Sequence, residues 1–392
     1  MRLIAALVAL ASTISPVDIW WLDSYGFSSI PQTGKGVTVA VIDTGIDDTH
    51  PDLSGTVVGG RDFSGLGAPD GTAPVGPASY HGTMVASLIA GQGSDVAGVR
   101  GVAPGAKLLS LSVGAGVEGA DTDTQISQAV IWAVNQGADV INISLSRDSR
   151  TWPKSWDRAF SYAFENDVVI VAASGNKVGE ASKPSAPATM PGVVAVGGLS
   201  KAGAGAQQAT TTGISLAVTA PAEELWGSYP GGTVREWSGS SAAAPLVTGL
   251  LALMIEADPQ ASANDLIQRL LGTANDLGQP GFDAIYGFGA INPEDAVAST
   301  LTSEQNPLGS LSEWVKLYRP GSLEEQGELL TPEQPVEISP SSEPQLSASQ
   351  NTDLSASNDV AWWSNPILYW VLAPFAPLLW FVLRLKRRRD QS

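Results

Sequence analysis

The stretch Val37-Thr38-Val39-Ala40-Val41-Ile42 is apolar at alternate and intervening positions alike and is bounded by Gly36 and Gly45, so it reads as a parallel strand buried on both faces. Runs of the same kind follow at 107–113, 139–145 and 168–173, with shorter ones at 193–196 and 216–218. Helical patterns lie between or after them: the small and apolar residues following His81, then 124–136, 155–165, 246–255 and 262–273. Strands alternating with helices imply βαβ units with right-handed crossovers. The expected fold is therefore α/β: a doubly wound, mainly parallel sheet flanked by helices in one domain. Sheets of this kind place their chemistry just past the carboxyl ends of the strands.

Four positions qualify. Asp43-Thr44-Gly45 ends the first run, where an aspartate serves equally well as a turn or cap residue or as a buried functional carboxylate. His81-Gly82-Thr83 opens a helix. The chain has only two histidines, and the other, His50, sits in the turn-like His50-Pro51-Asp52-Leu53, so the choice of a base near neutral pH is narrow. Gly175-Asn176 follows the fourth long run and offers an amide donor, although a lone Gly-Asn is most simply a turn. Ser238 to Pro245, Ser-Gly-Ser-Ser-Ala-Ala-Ala-Pro, precedes an apolar helix; a serine there lies at the positive end of the helix dipole, near backbone N–H groups free to face an oxyanion. Taken alone, a Ser-rich helix cap is most simply a cap.

Composition narrows the classes. The 392 residues carry 39 acidic and 21 basic side chains, a net charge of −18, and an acidic body repels nucleic acid. Cysteine is absent, which removes disulfides and thiolate metal sites. Residues 1–11 have a single charge, a short apolar core and the small-residue stretch Ala9-Leu10-Ala11, the pattern of a signal peptide. A short N-terminal extension at 12–36 leads into the body at 37–300, and the aromatic Ile19-Trp20-Trp21-Leu22-Asp23 is expected to pack on it. The Ser-, Pro- and Glu-rich residues 301–360 read as a disordered tether, with 311–318 the part able to dock through Trp314 and Leu317. Residues 361–385 are apolar and aromatic, long enough for one transmembrane helix, and the basic tail 386–392 belongs on the cytoplasmic side. The body then lies outside the membrane.

In their order along the chain, Asp43-Thr44-Gly45, His81-Gly82-Thr83, Gly175-Asn176 and Gly239-Ser240-Ser241-Ala242-Ala243-Ala244-Pro245 resemble the subtilisin-like serine proteases over residues 37–298, with Gly101 to Ala106 and Tyr286-Gly287-Phe288-Gly289 as further matches. The resemblance implies Ser241 as nucleophile, His81 as base, Asp43 as the carboxylate that orients it, and Asn176 with the Ser241 N–H as oxyanion hole. It also implies that Asn142, Ser144, Leu145 and Ser146 belong to a substrate-lining strand that pairs with an extended polypeptide. Ser146 stands where glycine is usual, so the first specificity pocket is expected to be narrower or more polar; Ser240 for threonine, Ala242 for methionine and Leu246 for a frequent histidine are further departures that remove no reacting group. No cofactor is required. Such proteases often hold structural calcium with loop oxygens, and Asp47, Asp48, Asp52 and Asp70 are of the right type, but none is assigned as a ligand.

The short N-terminal extension, Pro-rich tether, C-terminal span and basic flank are similar to the mycosins, membrane-anchored subtilisin-like proteases of actinobacterial type VII secretion systems. Mycosins usually carry cysteines, and this chain departs from them there. Two functions follow: an extracytoplasmic serine endopeptidase, or a weak or inactive scaffold that stabilises a membrane secretion complex.

Overall fold

The computed structural model describes residues 17–93, 98–177, 183–205 and 210–323. The expected signal peptide, transmembrane helix and basic tail, and residues 324–360 of the expected tether, lie outside these. In chain order the elements are α1 (Trp20–Ser24), β1 (Thr38–Asp43), β2 (Val57–Asp62), α2 (His81–Ala90), β3 (Lys107–Ser112), α3 (Thr122–Asn135), β4 (Val140–Ile143), α4 (Lys154–Glu165), β5 (Val169–Ala173), β6 (Val194–Leu199), β7 (Val218–Pro221), β8 (Leu225–Tyr229), β9 (Thr233–Trp237), α5 (Ser240–Ala257), α6 (Ala263–Gly272), α7 (Pro293–Ala298) and α8 (Leu311–Tyr318).

Seven strands form one parallel sheet in the order β2-β3-β1-β4-β5-β6-β7. Chain order reverses at β1, which pairs with β3 on one side and β4 on the other; that is where a doubly wound sheet opens a crevice. Strand periodicity divides the core in two. Val39 and Val41 of β1 point into the layer that holds α2, α5 and α6, whereas Ala40 and Ile42 point into the layer of α3, α4 and α8. Both faces are covered, which is why the strands carry no polar alternation. α1 joins the first layer through Trp21 and Leu22, as expected for the N-terminal aromatic segment.

α5 is long and apolar enough to cross a membrane, yet 78% of it is buried in this protein, the signature of a core helix. Its Pro245 lies inside the helix rather than in the first turn. Proline has no N–H to give the carbonyl four residues back, so the Ser241 carbonyl is released from the helix ladder and accepts the Ser144 hydroxyl at 3.1 Å.

Two elements differ from the sequence reading. β2 falls in the stretch 47–80 read as loop, because Gly59 and Gly60 weaken its strand signal; a Cβ on Gly60 would come within 2.3 Å of the Ser110 carbonyl oxygen of the neighbouring strand. The β8–β9 hairpin turns through Pro230-Gly231-Gly232 and packs on α2, where the Ser228 N–H donates to Ser87 Oγ at 2.9 Å.

Residues 301–323, expected to begin the tether, belong to the folded body. Leu311 and Val315 of α8 are buried, Trp314 packs on Trp152 at 4.6 Å, and Leu317 remains 75% exposed, so the docking side chains are not quite those expected. The fully buried Asp157 carboxylate fastens this end, accepting from Trp152 Nε1 at 2.7 Å, Arg319 Nη1 at 2.9 Å and Ser322 Oγ at 2.6 Å. Replacing Arg319 with Ala leaves that carboxylate with two neutral donors and no cation. The change should destabilise the body by about 2–3 kcal/mol in urea unfolding; an unchanged midpoint would mean that the clasp contributes nothing.

Candidate active site

β1 delivers Asp43 to its carboxyl end, and the carboxylate is fully buried there. A charge in that position is tolerable only with hydrogen-bond donors and a partner. Asp43 Oδ1 accepts the Thr44 N–H at 2.8 Å, and both carboxylate oxygens face His81 Nδ1, at 2.8 and 3.0 Å. His81 is the first residue of α2. Its position is set by Thr44, whose hydroxyl accepts the Gly82 N–H at 3.0 Å and so ties the strand end to the helix start.

The imidazole keeps 17% exposure, against none for the carboxylate. Burial alone would lower its pKa, but the Asp43 charge and hydrogen bond outweigh that and hold it above the ordinary histidine value. Trp237, from the end of β9, stands edge-on to the ring at 5.5 Å, so the hairpin that the sequence reading missed forms one wall of the site. Pro230-Gly231-Gly232 between alternating residues was the signal that could have found it.

Ser241 lies in the first turn of α5, where backbone N–H groups have no helical partner. Its hydroxyl donates to the Ser144 carbonyl at 2.9 Å, and among the described residues no hydrogen bond joins it to His81. Asn176 reaches the same helix start: its Oδ1 accepts from the Ser240 N–H at 2.9 Å and from Ser240 Oγ at 3.1 Å, which orients the amide, and among the described residues Nδ2 has no hydrogen-bond partner. Ser240 Oγ also accepts the Gly175 N–H at 3.1 Å. Ser240 is thus a clamp between α5 and the turn after β5, a role the sequence reading did not give it. Gly239 must be glycine here. Its φ is +135°, and a Cβ would lie 3.0 Å from the Asn176 amide.

The four residues expected to line a substrate strand separate into two pairs. Asn142 and Ser144 are buried inside: Asn142 Oδ1 accepts Thr248 Oγ1 at 2.9 Å, and its Nδ2 donates to Ser144 Oγ at 3.0 Å. Their side chains hold α5 against β4. Leu145 is half-buried and Ser146 exposed; with Ala115, Gly116, Trp156 and Pro187 they line a cavity of about 270 Å³. His50, the other histidine, is buried away from this cluster, with Nε2 2.9 Å from the Thr233 carbonyl and Nδ1 accepting the Asp52 N–H at 3.2 Å.

The loop carboxylates are engaged in local hydrogen bonds. Asp47 accepts from Thr49 and the Gly231 N–H, Asp52 from Ser228 and the Val99 N–H, and Asp70 from Thr72. Among the described residues no group of three or more such side chains could hold an ion.

The raised His81 value has a sign. Protonated His81 is favoured in the folded state, so its contribution to stability is complete below about pH 6.5 and is lost as pH rises through the folded value. With only two histidines, ring resonances should resolve this: His81 should titrate above the ordinary value, and Asp43→Asn should drop it below, because burial then acts unopposed. A His81 titration that ignores Asp43→Asn would contradict the cause given.

Residues 34–289 match the family model described as the subtilase family, peptidase S8. Subtilisin E from Bacillus subtilis is 36% identical over 285 residues, covering 72% of this chain and 70% of its own. Fervidolysin from Fervidobacterium pennivorans is 32% identical over 321 residues, covering 73% of this chain, but the chain spans only 44% of fervidolysin. Among solved structures, MycP1 from the ESX-1 type VII secretion system superposes with a TM-score of 0.64 at 28% identity, covering 76% of this chain and 89% of MycP1. With the family model spanning most of the chain and subtilisin E similar over more than two thirds of its length, the chain belongs to the subtilase family of serine endopeptidases.

Proposed function

We propose that the chain hydrolyses peptide bonds in extended polypeptides through Ser241, His81 and Asp43, from a membrane-tethered position outside the cytoplasm. The observation that carries this reading is the Asp43–His81 pair, 2.8 Å apart at the end of β1, beside the first turn of α5. A serine hydroxyl is barely ionised at neutral pH, so it attacks only while a base removes its proton. In the proposed reaction Ser241 Oγ leaves the Ser144 carbonyl by rotation about χ1, gives its proton to neutral His81 Nε2 and bonds to the substrate carbonyl carbon. Asp43 offsets the imidazolium charge through Nδ1. The oxyanion is received by the Ser241 N–H and Asn176 Nδ2, each such donor contributing about 100-fold to 1,000-fold in rate. Collapse expels the amine, protonated by His81, and leaves an acyl-Ser241 that water hydrolyses by the same path.

Because the base works only when neutral and its value lies above the ordinary one, the acid limb of activity falls at higher pH than for an unperturbed histidine. The segment Ser144 to Ser146, which follows β4, and the cavity beside it receive the substrate chain, and Ser146 narrows the pocket near Gly175. The apolar residues 361–385 with the basic residues that follow, and the likeness to MycP1, support anchoring and an association with type VII secretion. A scaffold role is the second reading, favoured by one observation: the Ser241 hydroxyl is engaged by Ser144 rather than His81.

One comparison tests these readings together. Cells carrying the full chain, its Ser241→Ala, His81→Ala and His50→Ala variants, or a chain ending at residue 360 are fractionated and assayed on an unstructured polypeptide. Activity should reside in the membrane fraction, fall by about 10³ to 10⁶ with the first two changes, survive the third far better, and become soluble with the fourth. Hydrolysis unaffected by Ser241→Ala would refute the nucleophile, no hydrolysis by the native chain would leave the scaffold reading, and a truncated chain that stays on the membrane would refute the anchor.

A further inference from the structure

In a chain with 39 acidic and 21 basic residues, one groove departs from the prevailing charge. It encloses about 650 Å³, its walls include Met190, Leu216, Ile214 and Phe288, and Arg150 and Lys183 stand on its rim with no carboxylate among the lining residues. Ile214 is 83% exposed, the most exposed large apolar side chain of the described residues. Neither Arg150 nor Lys183 enters an ion pair among the described residues. The groove is apart from the Asp43–His81 pair, although its Thr212 and Gly213 follow directly on Thr211, whose N–H donates to the Gly175 carbonyl at 2.9 Å.

The described chain ends beside this rim. Ser322 is held on Asp157, and Arg319 Nη2 donates to the Trp152 carbonyl at 2.9 Å, two residues along the same loop from Arg150. From the opposite wall, Thr189 Oγ1 donates to the Arg150 carbonyl at 2.7 Å. The residues that follow, Glu324-Glu325-Gln326-Gly327-Glu328-Leu329-Leu330-Thr331-Pro332-Glu333-Gln334-Pro335-Val336-Glu337-Ile338, contain glutamates and aliphatic residues and no basic one. Seven residues of extended chain reach at most about 25 Å, the span available to carry Leu329 and Leu330 from Leu323 past the loop of Arg150 toward the groove.

We propose that the segment 324–338 docks in this groove, its leucines on the Ile214–Phe288 wall and its glutamates toward Arg150 and Lys183. Three observations select this occupant: the place where the described chain ends, the opposite charges of the two partners, and apolar side chains on both. Because segment and groove share one chain, binding is intramolecular and a weak contact suffices. Docked, the segment braces the backbone behind the turn that carries Asn176 and shortens the free tether. The proposal is independent of the proteolytic reading.

The absence of native cysteine makes a direct test clean. The full chain receives Leu330→Cys together with either Ile214→Cys in the groove or Val58→Cys, which is 48% exposed on β2 at the far edge of the sheet, and is treated with a short bismaleimide. The 214–330 pair should link within one chain at least about fivefold faster than the 58–330 pair, and Arg150→Glu with Lys183→Glu, or raised salt, should remove most of that advantage. Ile214, Val58, Arg150 and Lys183 are exposed, and an unaltered thermal melt checks that each variant is folded. Equal rates for the two pairs, or a 214–330 rate indifferent to charge reversal, would overturn the proposal. Links formed only between two chains would overturn it too, by assigning the groove to a second copy.

Discussion

A carboxylate with no exposure to solvent, held against an imidazole at the carboxyl end of the central strand, dictates what surrounds it. A buried carboxylate needs hydrogen-bond donors, and Thr44 and His81 supply them to Asp43 within 3.0 Å. That requirement fixes where α2 begins, since His81 is its first residue and the Thr44 hydroxyl secures its second. It also explains the β8–β9 hairpin, which carries Trp237 against the open edge of the ring and packs on α2 from outside. The reversal of strand order at β1 supplies the crevice, and the ion pair supplies the reason to keep it rigid.

The opposite wall follows from a missing hydrogen-bond donor. Pro245 frees one carbonyl of α5, and Ser144 exchanges two hydrogen bonds with Ser241 across the gap, at 3.1 and 2.9 Å. Behind that pair, Asn142 is bonded on both amide atoms, and Ser240 gathers Gly175 and Asn176 to the helix start. Every member of this buried polar network has a partner, so it rigidifies the helix start instead of weakening the core. A loosely held serine and amide would vary in position with every motion of α5. Here both are referred to β4 and β5, the next two strands of the sheet beyond the one that carries Asp43.

Much of this was legible in the residues themselves. Runs such as 37–42 and 168–173 marked the buried strands because both faces of the sheet are covered, and Asp43, His81, Asn176 and Ser241 were all read from motifs at strand or helix ends. What escaped notice was of two kinds. Gly59 and Gly60 hid β2, since residues chosen for close approach of two backbones carry no strand propensity. Ser240, Asn142, Ser144 and Trp237 act through contacts between distant segments, and no local pattern encodes a bond from residue 144 to 241. The resemblance placed Asn142 and Ser144 on a strand that pairs with substrate, and a motif gives a position in the chain without the direction of a side chain. Docking of α8 was anticipated for Trp314, but not the Asp157 clasp that makes residues 301–323 part of the body.

The central claim is that the Asp43–His81 pair acts on the hydroxyl of Ser241 and on no other serine of this crowded helix start. Treating the native chain with a fluorophosphonate, digesting it and mapping the adduct by mass tests this directly. A single adduct on Ser241, formed by the native chain and lost on His81→Ala while the fold persists, is the predicted result. A folded native chain that stays unlabelled, or one labelled at Ser240 or Ser144 instead, would contradict the account.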